Sequence, residues 1–196
     1  SVKVIPNPVV IDASLVEIEA AAGIKSQSLT APRLIMINNG WNERKNGMCA
    51  LLAFKQVQQQ FPDATLHLFG GGAENNGLAH QDALKLGLNN VIYYGSVPHD
   101  QLMGELKKAH ILIHPALEES FGVVLIEAMS CGIPVIGGIN SGAVPWVVHD
   151  ERLLVDVTKP EQVAQTLLTL LTDADLYQQT SAQAYTNVLT RFSSKS

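Results

Sequence analysis

Three glutamates, Glu118, Glu119 and Glu127, lie in or just before one apolar run, and they are the first candidates for chemistry in this sequence. Glu118 and Glu119 precede the run and Glu127 lies within it, and the pattern from Phe121 to Met129 predicts a helix that is buried on most sides. A carboxylate on such a helix, as Glu127 would be, needs a partner because desolvating an unpaired charge is costly. A bound ligand, a nearby Lys or Arg, or a partly exposed position would each meet that need, and the spacing leaves all three open.

The turn before this run is a candidate anion site. Ser120 is expected to cap the helix, since its hydroxyl can accept a hydrogen bond from a free backbone N–H. The other free N–H groups and the helix dipole attract anions, and Gly122 would let a ligand approach closely. An ordinary capped helix has the same residues, so the turn alone does not establish a binding site. Gly132 and Pro134 are expected to end the helix.

Arg44 and Lys45 form a basic pair that is predicted to open a helix over 44–60, after a loop that contains Gly40. Cations at a helix N-terminus oppose its dipole, which is locally unfavourable. An anionic ligand beside Arg44 and Lys45 would explain them. A solvated basic pair on an exposed turn is an equally good explanation.

A glycine triplet and a histidine each follow a predicted strand. Gly70, Gly71 and Gly72 would allow the backbone to approach a phosphate or a sugar, or would simply form a flexible turn. The triplet does not match Gly-x-Gly-x-x-Gly and supports no dinucleotide site. His114 could face a ligand or be a hydrogen-bonded structural residue, and His67, in mid-strand, is expected to be structural. The sequence has no Gly-x-Ser-x-Gly elbow, so acyl hydrolysis has no support.

Alternating strands and helices are expected to position these residues from Arg33 onward. This alternation predicts an α/β, Rossmann-like fold: a doubly wound, mostly parallel sheet with helices on both faces. Before Arg33 the pattern is mixed, and residues 19–22 are expected to belong to a short helix. Ligands of such sheets bind beyond the carboxyl ends of the strands. The predicted strands are at 34–37, 66–69, 91–94, 111–114, 134–136 and 153–157, and the candidate ligand loops are 38–45, 70–76, 95–98, 114–122 and 137–142.

The composition fits one globular domain and excludes several classes of protein. Of the 196 residues, 46% are hydrophobic and 16% are charged, which permits a substantial core and argues against disorder. The net charge of -5, without a basic run, argues against a nucleic-acid surface. No apolar run approaches the roughly 18 residues of a membrane span. Cys49 and Cys131 are expected to be buried reduced thiols of a cytosolic protein, and no spacing of ligands predicts a metal site.

The combination of these features closely resembles the signature of the family-four retaining glycosyltransferases, which have the GT-B fold. The pair Glu119 and Glu127, followed by Gly-Ile-Pro-Val from Gly132, carries most of the likeness. The resemblance covers nearly the whole chain and extends through the segments 5–7, 40–46, 69–72, 94–97 and 141–145. In this family an N-terminal domain binds mainly the acceptor, and a C-terminal domain binds the nucleotide-sugar donor.

The sequence resembles the C-terminal domain alone. Residues 11–196 would be the donor-binding domain, residues 1–10 an inter-domain linker or strand end, and the N-terminal acceptor domain would be absent. The resemblance implies a nucleoside-diphosphate sugar as donor substrate, no cofactor and no metal. It also implies a cytoplasmic protein, whose full-length form would act peripherally at the cytoplasmic face of the membrane. Glycan or cell-surface polysaccharide synthesis is the expected context.

The resemblance also implies roles for individual residues. Glu119 would lie beside the donor sugar, Lys45, helped by Arg44, would neutralise the diphosphate, and Glu127 would hold the ribose hydroxyls. Fixed positive groups are useful there because the leaving diphosphate gains charge as the glycosidic bond breaks. The other implied donor contacts come from the helix turn and the glycine-containing loops: Ser120, Phe121, Gly122, Val123, Gly40, Gly71, Gly72, Tyr94, Gly95 and Val97.

Two departures from the family pattern leave alternatives open. The family often has Arg after the first glycine, where this chain has Trp41, and commonly has Glu where this chain has Trp146. These changes favour, as one rival, a non-catalytic partner domain that keeps the fold and has lost donor binding. A second rival is a sugar-nucleotide epimerase of the GT-B fold, which would need a set of acids and histidines that the sequence does not locate.

Overall fold

The computed structural model describes residues 13–193, which form an alternating series of strands and helices. The boundary proposed between 1–10 and 11–196 lies outside these residues. The six strands are β1 (Arg33–Ile37), β2 (Thr65–Phe69), β3 (Val91–Gly95), β4 (Ile111–His114), β5 (Val135–Gly138) and β6 (Leu154–Val155). The eight α-helices are α1 (Leu15–Ser26), α2 (Gly47–Gln60), α3 (Leu78–Lys85), α4 (His99–Leu106), α5 (Val123–Ser130), α6 (Val144–Val148), α7 (Pro160–Thr172) and α8 (Ala174–Arg191).

The strands form one six-stranded sheet in the order β3-β2-β1-β4-β5-β6. Every pairing is parallel, so the sheet is more uniform than the mostly parallel one predicted. From β1 the chain moves outward through β2 to β3, then returns to place β4 on the other side of β1. The strand order therefore reverses between β1 and β4, and a crevice opens at such a point beyond the carboxyl ends of the two strands.

Helices cover both faces of the sheet, as predicted. Every residue of β4 and of β5 is buried, and successive side chains of a strand point to opposite faces. The helices also pack against one another: α2 contacts α3 and α7, whereas α8 contacts α1 and α5. The apolar sequence of β4 and β5 follows from this arrangement, because a central parallel strand has no face left for water.

The first helix is longer than expected. α1 runs over twelve residues, Leu15–Ser26, where only a short helix around 19–22 was predicted. Ser14 and Glu17 form a capping box: the Ser14 hydroxyl accepts from the Glu17 backbone N–H, and the Glu17 carboxylate accepts from Ser14. Only Ile18 and Ala22 of this helix are buried, so its apolar face is too narrow to be read from the sequence.

Two predicted helix starts are wrong. α2 begins at Gly47 rather than Arg44, because Asn46 adopts a left-handed conformation (φ 50°, ψ 37°) and serves as its N-cap. α5 begins at Val123 after Gly122, which is also left-handed with φ 80°. Ser120 is exposed and does not cap α5, contrary to the prediction.

The C-terminal part differs in smaller ways. The segment 141–145, which is part of the family resemblance, contains the start of α6, and the strand predicted over 153–157 is a 3-10 turn (Glu151–Leu153) followed by the two-residue β6. Cys49 is a buried free thiol as expected, but Cys131 is only partly buried. Within residues 13–193 no helix is long and apolar enough to cross a membrane.

Candidate functional site

The candidate site lies where the strand order reverses, at the carboxyl ends of β1 and β4. All five loops predicted to carry ligand contacts follow the carboxyl ends of β1 to β5 in the structure. Parallel strands bring these loops to the same edge of the sheet. Residues far apart in the chain, such as Lys45 and Glu119, therefore come together there.

Asn46 joins three of the chain's segments beneath this edge. Its Nδ2 group donates to the carbonyl oxygens of Pro115 at 3.1 Å and of Val157 at 2.8 Å. The neighbouring loop is tied by a second contact, from the backbone N–H of Leu117 to the carbonyl of Arg44 at 2.8 Å. Because Lys45 lies between Arg44 and Asn46, these bonds hold its backbone against the loop that carries Glu119.

Lys45, Glu119 and His114 form a charged cluster at the crevice. Glu119 Oε2 lies 3.8 Å from Lys45 Nζ and 3.5 Å from His114 Nε2, and Glu119 Oε1 accepts from the backbone N–H of Phe121 at 3.3 Å. The contact with the His114 ring holds the pKa of Glu119 at about 2, with the Phe121 N–H and Lys45 acting in the same direction. Glu119 is therefore ionised at neutral pH and can only accept hydrogen bonds.

His114 belongs to this cluster, although the sequence left its role undecided. The side chain is 2% exposed, and neither ring nitrogen has a partner of hydrogen-bond geometry among the described residues. Asn38, which directly follows β1, likewise has a buried Oδ1 atom without such a partner, while its Nδ2 donates to the Lys45 carbonyl at 3.0 Å. Buried polar atoms are nearly always hydrogen-bonded, so unpaired ones on both strands of the crevice are typical of a site that receives a polar ligand.

Two glycines allow the loops to pack this closely. Gly142 has φ +58°, and a Cβ atom there would lie 2.4 Å from the carbonyl oxygen of Glu119. The next residue, Ala143, donates its N–H to that same carbonyl at 2.9 Å. Gly70 has φ +101°, and a Cβ atom there would lie 1.8 Å from the carbonyl oxygen of Asn38. Both positions exclude a side chain through direct collision with backbone.

A cavity of about 210 Å³ lies between the ends of β1, β2 and β3, and Asn38, which bonds to the Lys45 carbonyl, is one of its lining residues. Gly95 and Val97 line it, as does Leu102 on α4. Tyr94, expected beside them, does not line it: its ring stacks on Phe69 with centroids 4.2 Å apart, and its hydroxyl lies 3.2 Å from His67 Nδ1. The remaining lining residues are Ile37, Asn39, Phe69, Gly70 and Ser96.

Glu127 has a partner in the chain that the sequence did not indicate. Its Oε1 atom accepts from His99 Nε2 at 2.8 Å, so the partner is a histidine rather than the Lys or Arg considered above. The Glu127 side chain is 16% exposed and that of His99 is 64% exposed. His99 is the first residue of α4, and Leu102 of the same helix lines the cavity. Glu127 thus contacts the helix that also supplies Leu102 to the cavity.

The other predicted residues take different positions. Arg44 is not part of the charged cluster: its side chain is 70% exposed and forms an ion pair with Glu118, at 3.7 Å. Ser120 is exposed in the turn before α5, Val123 is exposed as the first residue of that helix, and Phe121 is half-buried. Gly71 lies opposite Gly40, since a Cβ atom on Gly71 would be 3.7 Å from the Gly40 nitrogen. Gly72 (φ +86°) lies against Trp41.

Both tryptophans that depart from the family pattern are held by neighbouring helices. Trp41 donates its indole N–H to Asp82 at 3.0 Å, and its ring covers Gly47, where a Cβ atom would lie 2.4 Å from the ring. Trp146 packs against Phe192 edge to face at 5.4 Å and under the guanidinium of Arg191 at 4.7 Å. The two rings therefore have structural contacts of their own.

Asn46, His99 and His114 are the residues of this site that the sequence did not assign. The one available signal was for His114, which ends a buried strand. Across residues 13–193, no three His, Cys, Asp or Glu side chains gather in a group able to hold a metal ion.

Comparison with known proteins agrees with this architecture. The chain is 33% identical over 118 residues to the gpi3 subunit of phosphatidylinositol N-acetylglucosaminyltransferase of Schizosaccharomyces pombe, covering 60% of this chain and 26% of that protein. It is 29% identical over 149 residues to a GDP-mannose-dependent monoacylated alpha-(1-6)-phosphatidylinositol monomannoside mannosyltransferase of Corynebacterium glutamicum, covering 71% and 38% respectively. The chain thus spans about a quarter to two fifths of the length of these relatives.

Solved structures show the same fold. WaaG, a glycosyltransferase involved in lipopolysaccharide biosynthesis, matches with a TM-score of 0.75 at 20% identity, over 96% of this chain and 52% of WaaG. HepE of Anabaena, solved with UDP-glucose, matches with a TM-score of 0.75 at 23% identity, over 97% and 53%. The family model described as "Glycosyl transferases group 1" matches residues 20–187. Since that match covers most of the chain, this protein belongs to the group 1 glycosyl transferases.

Proposed function

We propose that this chain is the nucleotide-sugar donor-binding domain of a retaining glycosyltransferase of glycan or cell-surface polysaccharide synthesis. One observation carries the proposal. Lys45, the ionised Glu119 and the buried His114 converge where the strand order reverses, and Asn38, which bonds to the Lys45 carbonyl, lines a cavity of about 210 Å³. A nucleoside-diphosphate sugar would supply an anion for Lys45 and polar atoms for His114.

The relatives support the class of ligand without selecting one member of it. HepE was solved with UDP-glucose, and the Corynebacterium mannosyltransferase is described as GDP-mannose-dependent. Both compounds are nucleoside-diphosphate hexoses, but their bases differ. We therefore propose a nucleoside-diphosphate hexose as donor and leave the base to experiment.

Each charged group has a defined task in this proposal. Lys45 and the backbone N–H groups at the start of α5 would stabilise the charge that develops on the diphosphate as the glycosidic bond breaks. Glu119, ionised at neutral pH, would accept hydrogen bonds from sugar hydroxyls and could not donate a proton. Glu127 would accept from the ribose hydroxyls. We propose that binding needs no metal, so adding EDTA should leave the affinity unchanged.

Calorimetry with UDP and GDP tests the proposal. We expect one of them to bind with a Kd in the range of roughly 10 μM to 1 mM, as is usual for enzyme substrates. Lys45→Met should weaken that binding by at least about tenfold, since one charge contact of about 1.4 kcal/mol is lost. Lys55→Met is the matched control, because Lys55 is an exposed lysine of α2 whose one side-chain hydrogen bond within residues 13–193 is to the Leu86 carbonyl, at 2.9 Å.

Failure of a folded sample to bind either nucleotide at millimolar concentration would contradict the proposal and favour a non-catalytic partner domain. Sugar transfer is proposed only for the full-length protein, with an acceptor domain in addition to this one. Assays of that protein against a panel of nucleotide sugars would identify the donor. Its position at the cytoplasmic face of a membrane stays a prediction.

A further inference from the structure

His99 is the residue that holds the Glu127 carboxylate in place. Among residues 13–193 it supplies the one hydrogen bond that this carboxylate makes, from Nε2 to Oε1 at 2.8 Å. A carboxylate has no hydrogen to give at neutral pH, so the histidine nitrogen must be the donor. The partners come from different helices, α4 and α5, and lie 28 residues apart in the chain.

The contact leaves most of the acceptor capacity of Glu127 free. Two carboxylate oxygens offer about four lone-pair sites, and His99 uses one of them. Oε2 therefore remains available, as does the second lone pair of Oε1. Without the histidine, the partly exposed Glu127 side chain would be free to rotate about its flexible torsions, and a ligand would have to order it on binding.

The position of His99 links Glu127 to the nearby cavity. Val97, two residues earlier, lines that cavity, and so does Leu102, three residues later on the same helix. Residues three apart on a helix share a face, so His99 and Leu102 lie one above the other. A ligand that occupies the cavity would thus extend past Leu102 toward the carboxylate held by His99.

We propose that His99 is a positioning residue that orients Glu127 to accept hydrogen bonds from both hydroxyls of a vicinal diol, and so sets the preference for ribo- over 2′-deoxyribonucleotides. The inference rests on the proposed function, because it takes the diol to be that of a nucleoside diphosphate. It adds a determinant of sugar selectivity that lies outside the Glu119 to Glu127 segment.

Paired titrations of UDP with 2′-deoxy-UDP, and of GDP with 2′-deoxy-GDP, test the inference. We expect the unaltered chain to bind the ribonucleotide about tenfold more tightly than its 2′-deoxy counterpart, the effect of one hydrogen bond to a charged group. His99→Ala should reduce that ratio to about twofold, mainly by weakening the ribonucleotide. His99→Gln should restore much of the ratio, because its amide can donate from nearly the position of Nε2.

Gln101→Ala is the matched control, since Gln101 is an exposed residue of α4 whose side chain makes no hydrogen bond within the described residues. Urea unfolding of each variant would establish that the fold is retained. A merely structural role for His99 would lower both affinities together and keep their ratio, and that result would overturn the inference. Tighter ribonucleotide binding by His99→Ala would also overturn it, since His99 would then compete with the ligand.

The outcomes separate this inference from the proposed function. If the unaltered chain binds neither UDP nor GDP, the proposed function fails. If the chain binds ribo- and 2′-deoxyribonucleotides equally well, the inference fails while the proposed function stands.

Discussion

The side chain of Asn46 should be one of the most important single hydrogen-bonding groups for stability. Its amide donates to two carbonyl oxygens that belong to chain segments 69 and 111 residues away. Asn46→Asp preserves the shape of the side chain and its tolerance for the left-handed backbone conformation, but a carboxylate cannot donate a hydrogen bond to either carbonyl. Each lost bond costs about 1 kcal/mol, or up to about 3 when the acceptor stays buried and unpaired, so we expect the two to cost about 2–6 kcal/mol.

Two further variants separate the hydrogen bonds from backbone strain. Asn46→Gly also removes both bonds but relieves the positive φ angle, so it should lose about 2–3 kcal/mol. Asn46→Ala adds the cost of a left-handed alanine, about 1 kcal/mol more. The control is Asn42→Ala, which removes an exposed bond to the Lys45 N–H and should cost less than about 1 kcal/mol.

Urea denaturation followed by circular dichroism measures these differences in the free energy of unfolding, provided that this free energy falls with urea concentration at the same rate in every variant. Nucleotide binding should weaken in the same order, because Asn46 holds the backbone next to Lys45. If the free energy of unfolding of Asn46→Asp lies within about 0.5 kcal/mol of that of the unaltered chain, the two bonds do not stabilise these segments and the reasoning is refuted.

Three other predictions concern stability, loop packing and the role of a tryptophan. Burial lowers the pKa of His67 and of His110 from 6.5 to about 4, so the unfolded chain binds more protons and the free energy of unfolding should fall as pH drops from about 6.5 to 4. His67→Gln should flatten this pH dependence in urea titrations, and an unchanged slope would contradict the assignment. Gly142→Ala should cost about 2 kcal/mol and weaken nucleotide binding, because the new Cβ collides with the Glu119 carbonyl; normal binding with normal stability would refute this. Trp41→Phe should leave nucleotide affinity unchanged in calorimetry, since its indole N–H bonds within the protein, whereas a loss of about tenfold would assign the ring to the ligand.

Strand positions were predictable because buried strands carry a strong local signal. The apolar runs that form β1, β2, β4 and β5 are bounded by glycine, proline or polar residues, and the structure has strands there. α1 was underestimated for the opposite reason: its two buried residues are separated by exposed ones, so its apolar face is weak. The number and type of the main elements therefore follow from local pattern wherever burial is extensive.

Helix starts were less predictable because long-range contacts decide them. The sequence pattern predicts Arg44 and Lys45 in the first turn of α2. The helix begins only at Gly47, because Asn46 is left-handed and is held there by its bonds to distant carbonyls. Ser120 reads as a cap, but the left-handed Gly122 begins α5 instead. A local pattern contains no information on which distant carbonyl a side chain will reach.

By itself, the sequence determined the alternation of strands and helices, the edge of the sheet where ligands are expected, and the presence of Glu119 and Glu127 at that edge. The tertiary structure decided their partners: Lys45 and His114 for Glu119, and His99 for Glu127. It also decided that His114 is buried and that Arg44 is exposed. The physical reason is that periodicity along the chain reports how each segment is buried, whereas partners and burial at a site depend on distances between segments that only folding brings together.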